Sequence, residues 1–486
     1  MTKIEQMPLA SLRSLNPHTI LRTSKLLTVS HQFLPKFCHT APPHNLNILK
    51  CCDNYSNEFL PWLDNKAGVR ISSLLSIGIS NFGRCLFACK NVQAGDCLLK
   101  VPFSVQITPD NLLPEIKPMI PDEVGNIAKL AVVILVKQKK GQLSEWAPYI
   151  TRLPQIEDMH ITIFWNAQEL KMIRHSSVYQ ETLNQQAQIK NDFLALKPVL
   201  DSFPQFFKDV SFENFRHAYG LVASRAWGST KGLSLIPFAD FLNHDGSSKS
   251  FVLSDEDKQI SEVIADRNYG LGEEVLIRYG KFPNSTLLLD FGFTVPYNND
   301  DQVCVQFDLT SDDHLRAMKL DLLQKHSLPK MKGVSFSSSD GSFVIKKVRS
   351  SDSKGKGIPQ SLRAFARVMC CNSSQELDEL AVEAAQHDGR LARRPLANRS
   401  LEMQAHKILL SRVNDVIDTH SVSIESLQSL KFTNRQRSTL RQKMARDLLT
   451  GEVQVLNSAA SWLKNYCHGG GQNVNPDELR NTDKCT

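Results

Sequence analysis

Two short stretches hold most of the residues in this chain that could do chemistry. In Ala239-Asp240-Phe241-Leu242-Asn243-His244-Asp245, an Asn-His pair and an acid follow the apolar run Leu235, Ile236, Pro237 and Phe238. About thirty-five residues later comes Gly272-Glu273-Glu274-Val275-Leu276-Ile277-Arg278-Tyr279-Gly280, and then Asp290-Phe291-Gly292-Phe293. The first stretch sets two polar side chains beside a buried strand, and the second reads as a strand ending in Tyr-Gly. Upstream, Ser224-Arg225-Ala226-Trp227 supplies a guanidinium, which can grip a carboxylate through a bidentate fork. Taken singly, each residue also has an ordinary structural reading: a core histidine, a helix-surface ion pair, a strand-end tyrosine packed on the core. The set is not a metal cluster. The chain has eleven cysteines and no Cys-x-x-Cys pair, which argues against a structural zinc site and against a secreted disulfide framework, so free thiols and no metal are expected.

The elements that must position these residues alternate along the chain. From 81 to 102 the pattern is β: Cys85 to Cys89, a turn at Gln93-Ala94-Gly95-Asp96, then Cys97 to Pro102. From about 110 to 220 it turns helical, with Ile127, Leu130 and Val133 or Ile134 at helical spacing, then Trp146, Tyr149 and Leu153, and a further helix predicted over 214–227. Short β segments punctuated by Gly246, Gly270, Gly272 and Gly280 return from 233 to 296, so the helical block reads as an insertion in a β-rich domain. Beyond 300 the chain reads as mainly helical. Ser311 is the expected cap of a helix carrying Leu315, Met318 and Leu322, Leu362, Phe365 and Met369 form a second stripe, and a long amphipathic helix is expected over 434–463. Loops are expected at 337–341 and 350–357, and a disordered tail over 467–486.

Charge separates the leader from the body. Residues 1–52 carry a net +5 and the rest of the chain only +2, so no domain-wide basic footprint for nucleic acid is present. Residues 6–52 contain no Asp or Glu and are rich in Ser, Thr, Lys and Arg, the composition of an organelle transit peptide, with a disordered leader as the alternative. The longest apolar run, 127–136, is about ten residues and includes Lys129, half of what a membrane-spanning helix needs, so no membrane segment is expected.

These motifs together resemble the SET-domain methyltransferases, in particular the branch typified by plant Rubisco large-subunit lysine methyltransferase, over about residues 55–465. Ser144-Glu145-Trp146-Ala147-Pro148-Tyr149 followed by Leu153-Pro154 looks like that branch's helical insert, and the long helical C-terminal region and the absence of cysteine-rich zinc segments also fit it. The resemblance implies an α+β fold: a β-rich SET domain over 53–298 with a helical insert at about 110–220, then a mainly α-helical substrate-binding domain over 299–466. It implies S-adenosyl-L-methionine as cofactor, a protein lysine as acceptor, and a monomer binding neither nucleic acid nor membrane. It tilts the leader toward chloroplast, with mitochondrion, cytoplasm or nucleus as alternatives.

Carried over position by position, Phe82-Gly83-Arg84 matches the loop whose backbone approaches the methyl donor, with Cys85 where the family has a second glycine. Arg225, Asn243 and His244 match cofactor-binding positions, and Ser224, Asp240, Phe291 and Phe293 substrate-side positions. Tyr279 matches the catalytic tyrosine. Methyl transfer is an in-line displacement by an amine lone pair, and a lysine with a pKa of about 10.4 must first lose its proton. An apolar channel and a neighbouring sulfonium disfavour the ammonium, so no strong base is obligatory and Tyr279 serves by alignment. Phe291 stands where the branch has tyrosine and cannot hydrogen-bond. The extra room predicts di- or trimethylation. The alternatives are protein-histidine methylation, which needs no deprotonation, and a SET-like binding scaffold with little catalysis.

Overall fold

The computed structural model describes residues 4–5, 7–8, 58–81, 83–229, 232–309, 311–326, 341–349, 354–429 and 435–469. The chain packs as two compact units, one made of 1–159 and 188–281, the other of 160–187 and 282–486.

In the first unit the strands are β1 (Ile4–Glu5), β2 (Met7–Pro8), β3 (Leu75–Ser80), β4 (Gly83–Ala88), β5 (Cys97–Pro102), β6 (Trp227–Ser229), β7 (Gly232–Ser234), β8 (Asn243–His244), β9 (Val252–Asp255), β10 (Ile260–Ile264) and β11 (Leu276–Ile277). They form small sheets in the orders β1-β9-β10-β5, β2-β6-β7, β3-β4 and β11-β8. All pairings are antiparallel except β8 with β11, which run parallel with Asn243 opposite Leu276 and His244 opposite Ile277. Gly83 opens β4 at φ +92, a region that favours glycine over residues with a Cβ. The helix Asn126–Lys140 buries Leu130 to Val136 and carries Lys137, Lys139 and Lys140 in its last turn, where cations suit the carbonyl end of the helix. It packs on the helix Phe212–Arg225. Each large apolar side chain buried this way contributes about 1.5–3 kcal/mol gross.

In the second unit the antiparallel pair β12 (Gln302–Gln306) and β13 (Ser342–Lys346) buries Val303, Val305, Phe343 and Ile345 in a core shared with Leu362 and Phe365 of the helix Gln360–Cys370. The long helices Arg399–Ser429 and Arg435–Gly469 pack on each other. Buried polar groups here have partners: Arg367 donates to Glu402 at 2.7 Å and His420 Nε2 lies 2.8 Å from Glu452 Oε2, as burial of polar groups requires.

The two strands expected on either side of the Gln93–Asp96 turn are present as β4 and β5, β4 pairing with β3 and β5 with β10. Several other sequence expectations need correction. The helix expected over 214–227 runs Phe212–Arg225. Ser211 caps it by accepting from the Asn214 N–H at 3.2 Å, and Trp227 is claimed by the β6 ladder opposite Ser234. The helix expected to be capped by Ser311 begins only at Arg316. Asp313 accepts from the Leu315 N–H at 2.9 Å and binds the buried Lys319 ammonium at 2.7 Å, which settles the start further along. The pair β12–β13 interrupts a region read as mainly helical. Residues 467–469 are helical rather than tail. The rest of the tail, the loop segments 337–340 and 350–353, and Phe82 lie outside the described residues, as does the leader apart from β1 and β2.

Candidate active site

The site in the first unit is built where the chain leaves the helix Phe212–Arg225 and makes a tight turn before β8. Phe238 adopts φ 76 and its ring is fully buried, stacked 6.5 Å from Phe59. A left-handed backbone at a bulky residue costs on the order of 1–3 kcal/mol and persists where its surroundings enforce it. Here it launches the single turn Ala239–Phe241, which buries Asp240 and delivers Asn243 and His244 to β8.

The parallel pairing of β8 with β11 then decides the rest. Asn243 Nδ2 donates to Glu274 Oε1 at 3.0 Å, and Ser80 Oγ donates to the same oxygen at 3.2 Å, tying β8 to the β3–β4 hairpin. The Tyr279 N–H donates to His244 Nδ1 at 3.0 Å, which places the proton of a neutral imidazole on Nε2. The Tyr279 hydroxyl donates to the Leu242 carbonyl at 2.7 Å. Its ring lies 5.1 Å from His244 and edge-on to Trp227 at 5.6 Å. Burial pushes the Tyr279 phenol well above its ordinary value, with Arg225 opposing and Asp240 and Glu274 adding to the rise. It is therefore a hydrogen-bonding group and not a base.

Charge gathers beside it. Arg225 Nη1 donates to the Asp240 carbonyl at 2.9 Å and approaches its carboxylate Oδ2 at 3.3 Å. Tyr149 Oη donates to the same Oδ2 at 2.9 Å. Arg84 donates to the Arg152 carbonyl and lies over the Phe241 ring at 5.6 Å. Burial and the neighbouring Arg225 and Arg152 guanidiniums lower the Arg84 pKa, while Asp240 and Asp158 oppose them. The Arg84, Arg152 and Arg225 guanidiniums are opposed by Asp240, Asp158 and Glu58; a guanidinium among them can still present a fork to a ligand carboxylate.

Cys85, which departs from the resemblance, sits inside β4 opposite Gly78 with its side chain buried; the left-handed position is Gly83, so Cys85 meets no backbone strain. Ser224 donates back to the Gly220 carbonyl of its own helix at 2.9 Å. Phe291 and Phe293 belong to the second unit, where Phe291 ends the π-helical turn Leu287–Phe291, 5.7 Å from Phe282 and 6.3 Å from Phe293. Sequence reading did not assign Glu274 or Tyr149 a place in the site. Glu274 stood inside the quoted Gly-Glu-Glu motif and Tyr149 inside the insert segment, but only the fold brings them to Asn243 and Asp240. Among the described residues no cluster of three or more His, Cys, Asp or Glu could hold a metal ion, and no helix is long and apolar enough to cross a membrane.

A SET-domain profile matches residues 83–280 and a Rubisco LSMT substrate-binding profile matches residues 310–456. The chain belongs to the SET-domain proteins that carry a Rubisco LSMT substrate-binding domain. Within that class it is similar to the chloroplastic Rubisco large-subunit N-methyltransferase of Pisum sativum, 25% identical over 288 residues, 55% of this chain and 57% of that protein. It is likewise similar to the chloroplastic [fructose-bisphosphate aldolase]-lysine N-methyltransferase of Arabidopsis thaliana, 26% identical over 286 residues, 56% of this chain and 58% of that protein. The chain thus spans less than two thirds of the length of these two relatives. The actin-histidine N-methyltransferase of Homo sapiens is 24% identical over 431 residues, 84% of this chain and 68% of that protein. The fold matches the structure of Rubisco LSMT bound to AdoMet with a TM-score of 0.67 at 19% identity, covering 90% of this chain and 98% of that one.

Proposed function

We propose that this chain is an S-adenosyl-L-methionine-dependent protein-lysine N-methyltransferase whose helical domain, residues 299–466, docks a protein substrate. The observation that carries this reading is the placement of Tyr279, whose hydroxyl is anchored on the Leu242 carbonyl beside His244, with the Arg225 guanidinium acting on it. S-adenosylmethionine would supply an electrophilic methyl group. Arg225 and Arg84 are the residues suited to its carboxylate, and Asn243, His244 and the backbone at Gly83 are the remaining candidates to hold it. Tyr279, its proton committed to Leu242, offers lone pairs to an incoming amine N–H and aligns it. Asp240 lies on the substrate side. The chloroplast names of the plant relatives and the acid-poor leader support a plastid address for residues 1–52.

Two measurements test this. Labelled S-adenosylmethionine is incubated with the protein and an extract of organelles lacking it, and the labelled protein and residue are identified by mass spectrometry. Tyr279→Phe should retain donor affinity by calorimetry while transfer falls on the order of a hundredfold, the scale of lost alignment. Unchanged transfer refutes the role of Tyr279, and absence of donor binding in the wild type refutes the enzyme reading in favour of a scaffold.

A second reading, histidine methylation, is favoured by the longer match to the actin-histidine enzyme and by Phe291, which brings no hydroxyl to a lysine amine. Label on a histidine of the identified substrate decides for it.

A further inference from the structure

The Asp240 side chain is only 1% exposed, yet its two oxygens are treated unequally. Oδ2 takes the Tyr149 hydroxyl at 2.9 Å and the Arg225 guanidinium at 3.3 Å. Oδ1 is buried and has no hydrogen-bond partner among the described residues. A buried carboxylate oxygen without a donor is costly, and the cost is relieved when a ligand brings one. The inequality is built by two elements far apart in sequence. The turn Ala239–Phe241, held by the strained Phe238, fixes the carboxylate. The short helix Ala147–Ile150 fixes the phenol, whose ring stacks on Phe241 at 6.4 Å.

We propose that Tyr149 is a positioning residue for this site: together with Arg225 it occupies Oδ2 of Asp240 and so leaves Oδ1 as the unpaired oxygen that accepts one N–H of the protein substrate. This rests on the methyltransferase reading above. The charged and titratable groups that act on Asp240 come from four elements: Arg225 from the helix Phe212–Arg225, Tyr149 from the short helix, Arg84 from β4, and Tyr279 beyond β11. Burial raises the Asp240 carboxyl above its ordinary value, and Arg225, the Tyr149 hydrogen bond and Arg84 oppose that rise. Tyr149 itself stays protonated, because burial and the adjacent carboxylate raise it well above the usual phenol value. Deleting the Tyr149 hydroxyl removes a donor from the charged form of Asp240, so the carboxylate protonates at higher pH.

The test compares wild type, Tyr149→Phe, Asp240→Asn and the double variant in the full chain. Donor affinity is read by calorimetry, folding by thermal melting, and methyl transfer to organelle-extract proteins by initial rates across pH 6–9. Tyr149→Phe should leave donor affinity and kcat nearly unchanged and raise the KM for acceptor protein about tenfold at neutral pH. It should also move the acid limb of kcat/KM to higher pH. Asp240→Asn should raise KM and leave only the limb set by the acceptor amine, and the double variant should match Asp240→Asn alone, with Tyr149→Phe no longer moving the limb. Wild-type KM and acid limb in Tyr149→Phe, a limb that Tyr149→Phe still moves in the Asp240→Asn background, or additive losses in the double variant would each overturn the proposal. Because Asp240→Asn keeps the phenol in place, its KM remains decisive even where Tyr149→Phe melts early: a wild-type KM in Asp240→Asn overturns the proposal. A wild type that neither binds the donor nor labels any protein refutes the methyltransferase reading instead.

Discussion

Arg225→Met is the perturbation whose consequence can be worked furthest from the structure. The substitution keeps an unbranched apolar stem and deletes the guanidinium that faces the Asp240 carboxylate at 3.3 Å. Breaking a buried pair from one side leaves an uncompensated charge and costs about 3–5 kcal/mol. Arg225 is itself 22% exposed, and Tyr149 and Arg84 still act on Asp240, so the expected loss is nearer about 2–3 kcal/mol at pH 7. The pH dependence has a definite sign. Burial already raises the Asp240 carboxyl and Arg225 holds it down, so the variant raises it further. A carboxyl whose native pKa exceeds its unfolded value of about 3.9 binds more protons folded than unfolded. Its contribution to stability is fully present below the unfolded value and is lost as pH rises through the native one. The deficit of Arg225→Met relative to wild type is therefore large at pH 8 and shrinks toward pH 5. Urea denaturation followed by circular dichroism at both pH values measures it. A deficit equal at both, or below about 0.5 kcal/mol at pH 8, refutes the assignment of Arg225 as the counter-charge of a buried Asp240.

Two further outcomes follow from single positions. In the second unit, Gly292 has φ +79, and a Cβ there would lie 2.6 Å from the Ile161 nitrogen and 2.8 Å from the His160 carbonyl carbon. Gly292→Ala should destabilise by about 3 kcal/mol, read as a lower urea midpoint, and a midpoint equal to wild type contradicts the close approach. The Cys85 thiol is buried and pushed up to about 12 by burial, whereas Cys89 is exposed. Alkylation with mass-spectrometric readout should modify Cys89 in the native protein and Cys85 only after denaturation; equal native labelling of both sinks the placement of Cys85 inside β4.

The elements were legible where one local pattern met no competitor. Leu130 to Val136 alternate with nothing polar enough to pull the helix apart, and the Gly-Asp turn before Cys97 has its own turn chemistry. The reading slipped where a distant partner outweighed the local preference. Trp227 continues the helical spacing of its segment, yet the ladder opposite Ser234 takes it into β6. Ser311 is a good cap in isolation, but Asp313 with the buried Lys319 offers a stronger start to the helix. The alternation of Val303 and Val305 needs Phe343 and Ile345, some forty residues away, before it becomes a sheet.

The same division runs through the site. The residue types were readable from sequence: a guanidinium for a carboxylate, an Asn-His pair at a buried strand, a tyrosine at a strand end. Their identities are written in the side chains, and chemistry limits what each can do. What each one faces was decided only by tertiary structure. The parallel register of β8 and β11 gives His244 to the Tyr279 amide and Asn243 to Glu274, and the strained turn at Phe238 gives Asp240 to Tyr149 and Arg225. Partners some thirty to ninety residues apart leave no periodicity to read, because hydrogen-bond pairing depends on distances that only the folded backbone sets.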